Sequence, residues 1–474
     1  MKKMVNEHTK KKWLSLRVAA LCLFVISLAT PLVAQERHPA AIAPQPVPIA
    51  RPLLVSDAAA LVTEFDLNGL KVLVKRREGS QTVVAGLFIK GGARNITAAN
   101  AGIEDLMLDA ASEATVSFPR ERLRTELSRM GTAISSGVNY DYSVLTLAST
   151  RANFDRSWEI FTDVALRPSF IAEDVERVRN RIVQALRADA DTPDSYLQVL
   201  QARVAYAGHP YVNDPRGTAE SVSRLTAEDL RRYHKQVMET PRLLLVIVGD
   251  LDPQLVRQRI AASFGKLPRG SYRSTPLPEL SFAASTVEVT ERELPTNYVQ
   301  GVFTAPGPAA PDLYAMRVAS TILQNRLFLE IRVKRNLSYA PEAFLSSQGS
   351  NLGGVSVSST DANQSVRVIL DEIARLQNQP ISEDELKGTV QHYLTTYYLE
   401  QETNAAQAGE LARSELLGGG WRKSTVFMDR ISTVTPAEVQ RVAQKYMRNI
   451  RFVVLGNPKS IDSRIFTGAA AAGN

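Results

Sequence analysis

Apolar residues recur at intervals of three and four through residues 173–186 and 365–376, the spacing that draws one hydrophobic stripe along a helix. Two continuous apolar runs of strand length, Leu243–Val248 and Phe452–Leu455, each end in a glycine. Each run follows a segment that reads as a capped helix, Leu225-Thr226-Ala227-Glu228-Asp229-Leu230 in one case and Val434-Thr435-Pro436-Ala437-Glu438-Val439 in the other. In both, the threonine hydroxyl can accept from the first free backbone N–H groups, and Pro436 suits a first helical position. The same helix-then-strand ending at two places identifies two divergent copies of one unit. Each unit mixes strands with long helices, so the expected fold class is α+β.

Punctuation in the chain sets the expected boundaries. Pro268-Arg269-Gly270-Ser271 and Pro276-Leu277-Pro278 mark a linker over 268–285. It separates a first domain, 54–267, from a second, 286–460. Before them, Pro39, Pro44, Pro46, Pro48 and Pro52 make 35–53 an extended tether. Residues 1–34 read as a signal peptide: a basic start, an apolar run from Val18 to Ala29, and Thr30-Pro31-Leu32-Val33-Ala34 before the cut. Export to the periplasm follows. The alternative is an uncleaved membrane anchor, although the run falls short of the ~20 residues that span a bilayer. The tail, 461–474, ends in Gly468-Ala469-Ala470-Ala471-Ala472-Gly473-Asn474 and is expected to be disordered.

Composition narrows the function classes. The chain has 474 residues, is 44% hydrophobic and 22% charged, and carries a net charge of +7, values that suit a globular protein of more than one core. Lys2, Lys3, Lys10, Lys11, Lys12 and Arg17 stand against Glu7 alone in the first 34 residues, so five of the seven excess charges lie there. The nearly neutral remainder has no footprint for nucleic acid. Cys22 is the only cysteine and sits in the signal segment, which removes disulfides and thiol chemistry from the mature chain.

The candidate chemistry centres on Gly102-Ile103-Glu104-Asp105-Leu106-Met107-Leu108-Asp109. Its frame is that of the inverted zinc motif His-x-x-Glu-His, in which two histidines four apart bind metal and the glutamate activates water. Here the three working places carry Asp105, Leu108 and Asp109. Leucine takes no proton, and two carboxylates make a poor tetrahedral zinc site. The preceding strand, Gly86–Arg94, the later Gly208-His209-Pro210 and the order of segments over about residues 55–460 resemble the M16 peptidases, the pitrilysin, insulysin and mitochondrial processing peptidase family. That resemblance implies two homologous domains, each a mainly antiparallel sheet covered by helices, forming half of a clam-shell chamber. It also places the third zinc ligand of active members at Ala185, within Ile182–Leu186, which again cannot bind metal.

In the second half, Asn325-Arg326-Leu327-Phe328-Leu329-Glu330-Ile331-Arg332-Val333-Lys334-Arg335-Asn336-Leu337-Ser338-Tyr339 is similar to the segment from which M16 enzymes extend an Arg and a Tyr to the zinc site. By the resemblance these are Arg332 and Tyr339, donors suited to orienting a carbonyl and stabilising an oxyanion. Asn336 stands where the family usually has glycine, and Asn is among the few residues that tolerate a left-handed backbone. Some bacterial members divide the site between two homologous subunits. The resemblance therefore implies a chain with no metal or cofactor of its own, working with a homologous subunit that carries His-x-x-Glu-His and zinc, on a peptide or unfolded polypeptide, with no stable membrane span. The alternative is a catalytically inactive peptide-binding or scaffold protein of the same fold.

Other features carry plainer readings. Asp105, Asp109 and Glu113 make an acidic stripe at four-residue spacing, read as a solvated face, a hard-cation site or a contact for a basic partner. His209, His234 and His392 lack metal-ligand spacing and read as structural. Gly418-Gly419-Gly420 reads as a helix-ending turn. The strand within Gly131–Asn139 is the edge that pairs with substrate backbone in active relatives.

Overall fold

The computed structural model describes residues 59–468. The expected signal segment 1–34, the expected tether 35–53 and the expected domain start near Leu54 lie outside them.

Two sheets organise the chain. The first contains β1 (Val62–Leu67), β2 (Leu70–Arg76), β3 (Thr82–Lys90), β4 (Ala133–Val138), β5 (Tyr142–Thr150) and β6 (Leu243–Gly249), in the order β1-β2-β6-β3-β5-β4. The second contains β7 (Thr286–Glu291), β8 (Asn297–Thr304), β9 (Glu342–Leu345), β10 (Leu352–Ser359) and β11 (Arg451–Gly456), in the order β7-β11-β8-β10-β9. Removal of β1 makes the two orders superimposable. In each, the closing strand is parallel to one neighbour, β6 to β2 and β11 to β7, and every other pairing is antiparallel. Both closing helices, Ala227–Val237 and Pro436–Tyr446, begin with a reciprocal capping box, on Thr226 with Asp229 and on Thr435 with Glu438.

The unbroken apolar runs have a topological cause. Side chains alternate across a strand, so a run with no polar positions must be covered on both faces. In β6, Leu243, Leu245 and Ile247 enter a core with the helices Ile103–Ala111, Phe154–Leu166, Ala172–Asp191 and Ala227–Val237. Leu244, Val246 and Val248 point to the other side, where Ala408, Leu411, Ala412 and Trp421 from the second half cover them. The second sheet shows the converse. Phe452 and Val454 of β11 enter their own core, while Val453 and Leu455 pack under Leu197, Leu200 and Val204 of the first half's helix Pro193–Ala205. Each half thus lends one helix to the open face of the other.

The helix Asn404–Leu416 ends in Gly419 and Gly420, both at positive φ, as the glycine run predicts. The expected tail is corrected at its start: Ser463–Thr467 is a short helix, and Phe466 is buried edge-on against Phe452 at 5.3 Å between ring centres. An apolar ring with a core slot to fill keeps residues 461–467 ordered.

Candidate functional site

The degenerate motif lies on the helix Ile103–Ala111, whose entry is fixed by Gly102 at φ 90°. A Cβ there would stand 2.6 Å from Val222 Cγ2 and 2.8 Å from the Arg216 carbonyl, so only glycine fits. The inward side of this helix is anchored by Glu104, which accepts from Tyr233 Oη at 2.7 Å, from Arg242 Nη2 at 2.9 Å and from the Ser143 hydroxyl. Leu108 belongs to the core.

On the outward side, Asp109 accepts from Ser136 Oγ of β4 at 2.5 Å and from Arg181 Nη2 at 2.9 Å. Arg181 lies one turn before Ala185 on the helix Ala172–Asp191. The helix that would bring the third metal ligand therefore brings a guanidinium, and the carboxylate already has its cation. Asp105 is half-buried without such a partner, and burial, with the nearby Asp109 charge second, pushes its carboxyl up to about 7. Among the described residues no three His, Cys, Asp or Glu side chains converge as metal ligands. The residues present do not fit zinc.

The acidic stripe is not a solvated face, and this corrects the first of its readings. Glu113 is buried and held by Arg120 at 2.9 Å, Arg124 at 3.2 Å and Arg177 at 3.6 Å. Three guanidiniums leave no place for a hard cation there. The strand reading is met by topology: β4 is the outer strand of its sheet, and its backbone pairs only with β5 among the described residues.

In the second half, a single π-helical turn, Phe328–Val333, continues the helix Leu313–Leu327. Asn336 reverses the chain with φ 51°. The return is pinned by the Leu337 N–H donating to the Ile331 carbonyl at 2.9 Å. Tyr339 thereby comes back over Arg332, whose guanidinium carbon stands 4.1 Å from its ring centre and 5.0 Å from that of Phe328. Such stacking fixes the fork while leaving its N–H groups free. The neighbouring cations are different: Lys334 and Arg335 both pair with Glu330. Arg332 has no carboxylate partner among the described residues, and Tyr339 is 78% exposed. Arg332 stacks with both Tyr339 and Phe328, and among the described residues no hydrogen bond or ion pair joins Arg332 or Tyr339 to Asp105, Leu108, Asp109 or Ala185.

Residues 71–214 match the family described as "Insulinase (Peptidase family M16)", and residues 224–393 match "Peptidase M16 inactive domain". The chain belongs to the M16 peptidase family. It is 22% identical over 398 residues to an uncharacterized zinc protease of Streptomyces coelicolor, covering 80% of this chain and 85% of that one. Identity to the mitochondrial-processing peptidase subunit beta of Blastocladiella emersonii is 23% over 413 residues, 82% of this chain and 87% of that one. Bovine cytochrome b-c1 complex subunit 1 matches at 26% over 266 residues, 55% of each chain. The crystal structure of a peptidase M16 inactive domain from Pseudomonas fluorescens has the same fold, with a TM-score of 0.77 at 18% identity over 84% of this chain and 98% of that one.

In this M16 chain His209 is buried and His234 half-buried, and each meets a backbone carbonyl. His209 Nε2 meets the Pro278 carbonyl at 3.2 Å and Ser350 Oγ at 3.1 Å, and His234 Nε2 meets the Ala165 carbonyl at 2.8 Å. Burial lowers the proton affinity of both. Sequence reasoning missed Asp141. Its buried carboxylate accepts from Arg94 at 3.1 Å, from the Tyr211 hydroxyl and from the Gly349 N–H of the second half at 3.0 Å. It missed Arg181 as well, though a cation four residues before Ala185 on one helical face was a readable signal.

Proposed function

We propose that this chain is the metal-free subunit of a two-chain M16 zinc peptidase. A homologous partner carrying His-x-x-Glu-His would hold the zinc and the general base. Arg332 would orient the scissile carbonyl of a bound peptide, and the Tyr339 hydroxyl would donate to the oxyanion as it develops. The carrying observation is an asymmetry. At the degenerate zinc positions Asp109 is paired with Arg181, whereas Arg332 is stacked on Tyr339, partly exposed and without a carboxylate partner among the described residues. Phe328, Leu329, Val333 and Tyr339 form an exposed apolar rim around it, the composition of a surface meant to meet another chain. The unpaired edge of β4 offers an extended peptide backbone donors and acceptors. The reading includes export through residues 1–34 and assembly around a periplasmic chamber.

The scaffold reading has its own support, because one relative is by name a subunit of the cytochrome b-c1 complex. One experiment separates the two. Purification of the tagged chain from its native compartment should recover a stoichiometric homologue bearing His-x-x-Glu-His, with about one zinc per pair. In that complex Tyr339→Phe should lower kcat roughly 100-fold while leaving assembly intact. Unchanged turnover in Tyr339→Phe and Arg332→Ala would leave the scaffold reading standing.

A further inference from the structure

Three parts of the chain meet at one imidazole. His209 caps the short turn Pro210–Val212 of the first half, and its Nδ1 accepts from the Tyr211 N–H at 3.1 Å. Its Nε2 stands 3.2 Å from the Pro278 carbonyl of the linker and 3.1 Å from Ser350 Oγ of the second half. The Ser350 hydroxyl is itself committed as a donor to the Pro278 carbonyl at 3.0 Å, so both of these neighbours are acceptors and Nε2 carries the hydrogen. Nδ1 faces a donor and must keep its lone pair. The surroundings thus hold the ring in one neutral tautomer.

Ser350 belongs to the turn between β9 and β10, and that turn is fastened to the same corner of the first half. The Tyr206 hydroxyl donates to Gln348, the Gly349 N–H donates to Asp141 at 3.0 Å, and the Ser350 N–H donates to the Tyr211 hydroxyl at 3.4 Å. A proton added at Nδ1 would set one N–H against the N–H of Tyr211, the residue whose hydroxyl joins Ser350 to Asp141. The ring is 5% exposed, and burial opposes its charged form. The charged groups facing it are Asp141 and Arg94, which pair with each other at 3.1 Å. Tyr206 and Tyr211, with ring centres 5.9 and 4.7 Å away, are kept protonated by burial. Glu279 of the linker is exposed, and residues 346–351 carry no titratable side chain.

We infer that His209 is an acid-released latch: while neutral it fastens the 346–351 turn of the second half to the linker and the first half, and proton uptake at Nδ1 frees that turn. Once in water the ring regains its ordinary affinity for a proton, near pH 6.5, so release is drawn forward as the pH falls below that value. The apolar faces that the two halves cover for each other take no part in the titration, and the release is therefore local. The inference is independent of the peptidase reading, since it concerns the lone chain.

The test is hydrogen exchange of the full chain, read by mass spectrometry at unit steps from pH 8 to pH 4 and expressed as protection relative to an unstructured chain at each pH. Opening takes up one proton wherever the closed ring is neutral and the released ring is charged. Protection of residues 346–351 should therefore be constant from pH 8 to 7 and fall about tenfold between pH 6 and 5, with residues 243–248 of β6 unmoved. His209→Asn supplies an Oδ1 that can cap the Tyr211 N–H but does not titrate, and its 346–351 turn should be equally protected at pH 7 and 5. Equal protection at those two values in the parent overturns the latch, and so does a tenfold fall that persists in His209→Asn or is shared by residues 243–248. Should the variant not fold, the onset in the parent decides: loss that begins near pH 6.5 belongs to an imidazole, whereas loss that begins only near pH 4 belongs to the Asp141 carboxyl and overturns the latch.

Discussion

Asp105 and Asp109 stand one turn apart on the same helix, yet only Asp109 has a cation paired with it. Arg181 neutralises Asp109, a partly exposed pair worth up to about 1 kcal/mol. Asp105 has burial and a like charge beside it, and its carboxyl sits at about 7 instead of 3.8. Because the folded chain then binds this proton more tightly than the unfolded chain does, stability falls as pH rises from about 4 to 7 and stays reduced above that window. Asp105→Asn removes the charge at nearly constant shape. It should therefore stabilise the chain by about 2 kcal/mol at pH 8 and by almost nothing below pH 4, as read from urea unfolding at both values. An equal gain at both pH values would mean that the carboxyl is ionised throughout. The identities of Asp105, Leu108, Asp109 and Ala185 were legible in the sequence, and Leu108 and Ala185 offer a metal no ligand atom. The cation beside Asp109 was not, because Arg181 becomes relevant only when two helices distant in sequence are packed together.

At the level of elements, two of the four edge strands, β4 and β9, have been treated differently. The outer edge of β4 is open, but β9 is sealed by a side chain of the helix Leu313–Leu327. Gln324 Oε1 accepts from the Ala343 N–H at 2.5 Å and its Nε2 donates to the Pro341 carbonyl at 3.2 Å, so one amide stands in for the missing neighbouring strand. This protects the β9 edge of the second sheet from strand addition, whereas the outer edge of β4 has no such cover among the described residues. Gln324→Ala should cost about 1 kcal/mol and speed exchange of the Ala343 amide in native-state hydrogen exchange, with the β4 amides unmoved. Protection of Ala343 that survives the substitution would show that the seal lies elsewhere. Much at this scale was readable. Thr226 and Thr435 marked two helix starts, the runs ending at Gly249 and Gly456 marked two closing strands, and Asn336 marked a left-handed turn. Gln324 gave no signal, since a glutamine late in a helix is ordinary until its partner strand is known.

For the whole molecule, the exchange of helices between halves decides what can fold alone. The repeat in the sequence suggested two similar units, and the sheet orders show the duplication. Repeat logic does not reveal that each unit leaves one sheet face for the other to cover, because the apolar run of β6 would read the same whichever helix covered it. A fragment ending at residue 284 would lack Ala408, Leu411, Ala412 and Trp421, and would leave Leu73, Val84, Phe88, Leu244, Val246 and Val248 facing water. At roughly 1.5–3 kcal/mol for each large side chain, that exposure matches or exceeds the ~5–15 kcal/mol by which a domain is ordinarily stable. Asp141 adds to the dependence, since one of its partners is the Gly349 N–H of the second half. The fragment should therefore aggregate when produced alone and become soluble when residues 285–474 are co-expressed, the two associating without a covalent link. A lone fragment that stays monomeric and unfolds in one cooperative transition would show that the crossed helices contribute little, and would return each half to the status of an independent domain.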